Sequence, residues 1–228
     1  MSTETQSKVI VHHLNDSRSQ RVLWLLEELE VPYEIKYYTR GSDLLAPKDL
    51  LKVSPLGKSP VITDGDMNLA ESGAIVTYLI EKYGKAEDQP PTTGKVHDLY
   101  FTHYSEGSLM PLLVNKLIFQ IVPTRAPFLL RPLLRMVFAT LTSQLVEPEL
   151  KKHQTMIEEH LSKTGPWFAG GQSPTAADYM MAFPLEAIDA ANRDSLGHKS
   201  REYVKMIHER PAYKRALERG GEYSYAKL

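Results

Sequence analysis

The chain has 228 residues, with 27 Lys and Arg against 28 Asp and Glu, and 42% of it is hydrophobic. That is enough for one large or two modest domains around a real core, and it lacks the basic excess that a nucleic-acid partner needs. There is no cysteine, which excludes disulfides, zinc–thiolate sites and a Cys-x-x-Cys redox centre, so any thiol must arrive with a ligand.

Met1 to Lys8 is polar, and no uninterrupted apolar run reaches membrane-spanning length. A cytoplasmic protein without a transmembrane segment is expected. Lys8 to Leu14 (KVIVHHL) reads as a first strand. Ser17 to Glu30 predicts a helix with Val22, Leu25, Leu26 and Leu29 on one face, opened by a capping-box pattern, Ser17-x-x-Gln20. Tyr33, Ile35 and Tyr37 alternate with polar neighbours as a second strand. The order strand, helix, strand predicts a parallel pair. Asp43 to Lys52 is a poorly defined helix or loop.

Val53 to Tyr83 is the most informative stretch. Val61-Ile62 and Met67-Leu69 flank Asp64-Gly65 and predict a tight hairpin. Ile75, Val76, Leu79, Ile80 and Tyr83 then recur at helical spacing. Pro60 heads the first hairpin strand, where a missing N–H is tolerated. A cis Ser59–Pro60 bond would turn the N–H and C=O of Ser59 towards a pocket, where an extended peptide can bind as a strand binds its neighbour. Glu71-Ser72 falls where strand meets helix. Free amides, the helix dipole and the Ser hydroxyl favour a carboxylate there, and Glu71 can pair with an ammonium beside it. A carboxylate and an ammonium on one carbon, joined to a short peptide, describe the γ-glutamyl end of glutathione. Taken singly, Pro60 reads more simply as shaping a turn and Ser72 as capping a helix.

Gly84 to Gly94 (GKAEDQPPTTG) reads as a linker, and everything beyond it is helical in pattern. Val96 to Phe119 predicts one long helix, bent near Pro111. Pro132 to Glu147 and Glu149 to Ser162 predict a second, continuous across Pro148. Thr175 to Ala191 is a third, capped by Thr175 with Asp178, whose loss is expected to cost roughly 0.5–2 kcal/mol. Lys199 to Glu209 and Pro211 to Arg219 close the chain. Phe128 to Phe138, apolar and basic, is expected to be core or dimer surface rather than a membrane anchor.

The stretch "GKSPVI…DG…L.ESGAI..YL", the "SR..R.LWLL" pattern from Ser17, the segment Ser173-Pro174-Thr175-Ala176-Ala177-Asp178 and Arg210-Pro211-Ala212-Tyr213 together resemble the cytosolic glutathione S-transferases, in particular fungal and bacterial members. The resemblance covers about Val9 to Arg219. It implies a thioredoxin-like N-terminal domain (βαβαββα, residues 1–84), a linker (85–94) and an all-α C-terminal domain (95–228). It implies glutathione as cosubstrate with no permanently bound cofactor, a small hydrophobic electrophile as partner, and a homodimer. Glutathione is expected at Lys58, Ser59, Pro60, Glu71 and Ser72.

Transfer needs a thiolate, and lowering a thiol from ~8.5 by about two units takes roughly 2.7 kcal/mol. The family's donor to the sulfur lies just after the first strand. No Tyr or Cys stands there, so a Ser-type enzyme is implied, with Ser17 as donor and Ser19 or Asn15 as alternatives. Ser17 is also the natural helix cap. Relatives carry a His or Lys for the glycyl carboxylate where this chain reads Leu44-Leu45-Ala46-Pro47, so Arg40, Lys48 or Lys58 must substitute. The electrophile pocket is expected at Tyr104, Ser108 and Met110, each of which is equally an ordinary helix-face residue. His12, His13, His97 and His103 lack a metal-ligand arrangement and read as structural. The competing functions are a glutathione-dependent peroxidase or isomerase on the same scaffold, and a non-catalytic glutathione- or ligand-binding module.

Overall fold

The structure, a computed structural model, describes residues 8–43 and 45–226. Leu44 of the expected carboxylate-binding segment, and the ends of both expected domains, lie outside them. The first part is a four-stranded sheet in the order β2-β1-β3-β4, with β1 at Val9–Leu14, β2 at Tyr33–Tyr38, β3 at Val61–Asp64 and β4 at Met67–Ala70. β1 and β2 run parallel, connected by α1 (Gln20–Glu28), and β3 runs antiparallel to both β1 and β4. The β3–β4 hairpin closes on Asp64-Gly65, where glycine takes a φ of 61° without a Cβ clash. α2 (Ser72–Tyr83) follows β4 directly. The thioredoxin-like order holds, but its middle helix is reduced to a 3-10 turn at Lys48–Lys52. Only Leu50 of that turn is buried, too small an anchor to hold a longer helix.

α1 starts three residues later than its sequence pattern predicts, and the expected Ser17–Gln20 capping box does not form. Gln20 is buried instead, and its amide finds no partner among the described residues. Gln20 to Glu27 are all buried, because α1 lies between the sheet and the helical half, against α7 (Ala176–Ala191) and α9 (Pro211–Gly220). Trp24 packs on Tyr179 with ring centroids 4.6 Å apart. The end of α1 is tied to the helical half by charge. Glu27 accepts from Arg215 Nε at 2.7 Å and Arg219 Nη1 at 2.9 Å, and Glu28 accepts from Arg210 Nη2 at 2.8 Å.

The helical half has two long rods. α3 (Lys95–Tyr104) continues into α4 (Met110–Arg125) through a π-helical turn at Ser105–Leu109, and α5 (Arg131–Leu141) into α6 (Glu147–Thr164) through another at Thr142–Val146. Each π turn lies just before a proline, Pro111 or Pro148. Proline has no N–H to donate one turn back, and the wider turn accommodates the missing bond. The expected bend at Pro111 is therefore this turn. α7 is buried along most of its length and is opened by the Thr175–Asp178 capping box. α8 (His198–Glu209) and α9 complete the layer. Phe128 to Phe138 departs from the expectation of core. Leu134 and Phe138 turn inward, with Phe138 against Phe119, while Pro127 to Leu133 is exposed at every residue.

Candidate functional site

The sheet register brings three separate stretches to one edge. His12 pairs with Val61, and Val61 with Ala70. The C-terminal end of β1, the start of β3 and the end of β4 therefore lie side by side, spanning roughly 10 Å at the usual strand spacing. Asn15 to Ser19, Ser59-Pro60 and Glu71-Ser72 stand at that edge. The Ser59–Pro60 bond is cis, and Ser59 Oγ donates to the His12 carbonyl at 3.0 Å. Lys58 is exposed beside it, Pro60 is buried, and Ser72 is buried at the first turn of α2.

Glu71 holds a conformation its sequence does not announce. Its φ is 71° and ψ 117°, a region that L-residues with a Cβ avoid, and its carbonyl accepts from Ile75 N at 2.9 Å. Its side chain is exposed, with no hydrogen-bond or ion-pair partner among the described residues. The fold thus gains nothing visible from a carboxylate at a position that glycine would occupy at lower cost.

At the mouth of α1 the hydroxyls are wired inward. Ser17 Oγ lies 2.8 Å from Ser19 Oγ and accepts from Ser19 N, and Ser19 Oγ lies 2.8 Å from His13 Nδ1. Ser19 Oγ also lies 3.3 Å from the Leu14 carbonyl, so its single proton has two acceptors, His13 Nδ1 and Leu14, and Ser17 can donate to Ser19. Ser19 is fully buried, so as a sulfur-contacting alternative it is corrected: its hydroxyl is enclosed by protein partners. Asn15 is half-buried, and its Oδ1 accepts from Arg40 N at 2.9 Å. His12 is likewise engaged, with Nδ1 3.1 Å from Tyr38 Oη and Nε2 2.9 Å from Thr63 Oγ1.

Burial pushes the His13 imidazole down to about 4. Below its unfolded value of ~6.5 the unfolded chain binds the extra proton first, so stability falls as pH drops from about 6.5 to about 4. The predicted loss from this group is about 3 kcal/mol, and His13→Asn, which keeps an acceptor for Ser19, should remove most of it. Urea midpoints of both proteins at the two ends of that range check this; equal acid losses would refute it.

A cavity of about 290 Å³ opens beside this mouth. Met110, Leu113, Val114 and Phe183 supply apolar walls, and Arg18, Arg40 and Asp16 supply charge. Of the three expected pocket residues only Met110 lines it. Tyr104 is buried, its hydroxyl engaged by His153, and Ser108 sits exposed on the π turn. That turn is the reason: its wider winding shifts the helical phase, so a face extrapolated from α3 misses the face α4 presents. Leu113, Val114 and Leu117 recur from Met110 at helical spacing and were findable from it. Phe183 and Tyr225, brought in by α7 and the C-terminal segment, had no local signal. Ser224 N donates to Asp16 Oδ1 at 2.7 Å, which holds that segment against the cavity.

Arg18 Nε and Arg21 Nη1 both donate to Glu106 Oε1, at 2.9 and 2.7 Å, and so link α1 to the π turn. A larger groove of about 1040 Å³ runs between α2 and α3, past Met67, Glu71, Leu99 and Glu106, and shares no lining residue with the smaller cavity. Among the described residues no group of three or more His, Asp or Glu is disposed to hold a metal.

The model of the glutathione S-transferase N-terminal domain matches residues 6–81. Glutathione S-transferase 3 of Schizosaccharomyces pombe is 37% identical over 92% of this chain and 87% of its own length. The chain belongs to the glutathione S-transferase family. The fold agrees: a glutathione S-transferase of Actinobacillus pleuropneumoniae superposes with a TM-score of 0.76 at 28% identity, covering 96% of each chain. A glutathione transferase family member of Pseudomonas fluorescens, solved with two glutathione bound, superposes with a TM-score of 0.68 at 25% identity over 95% of each chain. The thioredoxin-like sheet followed by a helical domain is the architecture of this transferase family.

Proposed function

We propose that the chain is a glutathione transferase that conjugates the glutathione thiolate to small hydrophobic electrophiles. The observation that carries this reading is Glu71, a carboxylate with no partner among the described residues, held at positive φ in the row of Ser59 and the α1 mouth. Glutathione lies across that row. Glu71 and the Ser72 amide and hydroxyl take its γ-glutamyl end, the main chain of Ser59 beside Pro60 pairs with its backbone, and Lys58 or Arg40 meets its glycyl carboxylate. Its sulfur reaches the α1 mouth beside the apolar cavity. There the thiolate attacks the electrophile: a carbon–sulfur bond forms, and the electrophile's leaving group departs with the electron pair.

The sulfur anion is favoured by Arg18 and Arg40, which line the cavity, and by the Ser17 hydroxyl. Turning that hydroxyl from Ser19 to the sulfur exchanges a neutral hydrogen bond for a charge-assisted one about twice as strong. Residues 1–84 form the glutathione-binding unit and 95–228 the helical one, joined by 85–94. Glutathione is a cosubstrate, no cofactor is permanently bound, the protein is cytoplasmic, and a homodimer closes on the α2–α3 groove.

Ser17→Ala tests the sulfur assignment. The pKa of bound glutathione should rise by about one unit, the worth of one hydrogen bond to an anion, while its affinity stays within about twofold. An ultraviolet thiolate titration identical to the parent's would move the role to the amides and arginines at that mouth. Absence of both glutathione binding and conjugation of a chloronitrobenzene in the parent protein would reject the function itself.

A further inference from the structure

The hairpin of α4 and α5 carries a surface that the glutathione site does not use. From Gly107 to Val146 the chain has four of its 27 basic residues, Lys116, Arg125, Arg131 and Arg135, and none of its 28 acidic ones. At the tip Phe128 is 74% exposed and Leu129 77%, with Leu133 at 54% and Met136 at 62% on the following turns. Single exposed apolar side chains need no explanation, but four large ones on one hairpin end form a patch that does. They are not required by the hairpin's own packing, which uses Phe119 and Phe138.

The hairpin's own charges are of one sign. Arg125 Nη2 donates to the Asp43 carbonyl and Arg131 Nε to the Ala126 carbonyl, both at 2.9 Å. Neither they nor Arg135 has a carboxylate partner among the described residues. We propose that the α4–α5 tip docks on the surface of an anionic lipid bilayer, with Phe128, Leu129, Leu133 and Met136 entering the boundary between headgroups and acyl chains. Arg125, Arg131 and Arg135 then meet lipid phosphates while their stems lie along the apolar layer. Charge decides against the nearest rival occupant. A second copy facing this patch across a two-fold axis would set arginines against arginines. The contact is peripheral, since among the described residues no helix is long and apolar enough to cross a membrane.

Sedimentation of the full chain with vesicles tests this. Vesicles of phosphatidylcholine with about one-third phosphatidylserine should bind it about tenfold better than pure phosphatidylcholine, because each arginine gains from anionic headgroups. The preference should collapse between about 0.1 M and about 1 M salt, as the screening length falls from about 10 Å to about 3 Å. Phe128→Ser with Leu129→Ser should weaken binding about tenfold, and Arg131→Glu with Arg135→Glu should abolish the anionic preference. All four side chains are exposed, so both variants should fold and bind glutathione like the parent. No sedimentation, equal binding to neutral vesicles, or variants that bind like the parent would overturn the proposal. So would a variant whose mass in solution halves, which would make the patch an interface between copies.

Discussion

Replacing Glu71 with glycine is expected to stabilise the protein while removing most of its affinity for glutathione. A residue with a Cβ at φ 71° costs of order 1–3 kcal/mol. Glycine removes that strain, and its greater freedom in the unfolded chain takes back roughly 0.5–1 kcal/mol, for a net gain of about 1 kcal/mol. The loss in binding is larger. A charge-assisted pair between carboxylate and ammonium contributes about 1.5–3 kcal/mol, which converts to a roughly 10- to 150-fold weaker dissociation constant. Glu71→Ala separates the two effects, since it loses the same affinity and keeps the strain. Titration calorimetry and thermal unfolding of the three proteins measure both. Wild-type affinity in either variant would remove Glu71 from the γ-glutamyl site.

Asp178→Ala is expected to cost about 3–5 kcal/mol, well beyond the capping loss inferred from its sequence context, because the change leaves several buried donors unpaired. Its carboxylate accepts from Thr175 N at 2.9 Å, as a cap should, and also from Phe168 N at 3.0 Å and Tyr203 Oη at 3.2 Å. Asp178 is fully buried, so no water replaces it for these donors. Phe168 and Tyr203 stack edge-on with centroids 5.1 Å apart, and the carboxylate therefore joins the helix start to the packing beneath it. Thr175→Ala removes one hydroxyl and should cost about 1 kcal/mol. The difference between the two midpoints in urea is the measurement; a loss below about 1 kcal/mol for Asp178→Ala would show that these donors find other acceptors.

Several features were legible because each is a local pattern. The hairpin follows from Asp64-Gly65 between short apolar runs, and α7 from Thr175 and Asp178 before an apolar helix. Ser17 shows the opposite case. Its neighbours predict a helix cap and a family pattern predicts a sulfur donor, yet its hydroxyl meets that of Ser19, which in turn meets His13 on the first strand. Tyr104 and Met110 differ for a similar reason. Both lie on the first long helix of the second half, and which of its sides meets the cavity is set by the π turn between them, which the sequence does not announce. The tip at Phe128, read as core or dimer surface, is exposed in the single chain, because apolar composition alone does not distinguish a side chain facing core from one facing outward.

The order of strands and helices, the absence of any thiol of its own, and the pairing of Glu71 with Ser72 at a strand–helix junction were determined by the sequence alone, because hydrophobic period, turn chemistry and residue type act over a few neighbouring positions. The edge shared by Ser59, Glu71 and the α1 mouth, the positive φ of Glu71, the inward wiring of Ser17 and the cavity between Met110 and Phe183 were decided only by the tertiary structure. Strand register, helical phase and burial depend on which distant segments pack together, and that packing energy is not written in any single stretch of the chain.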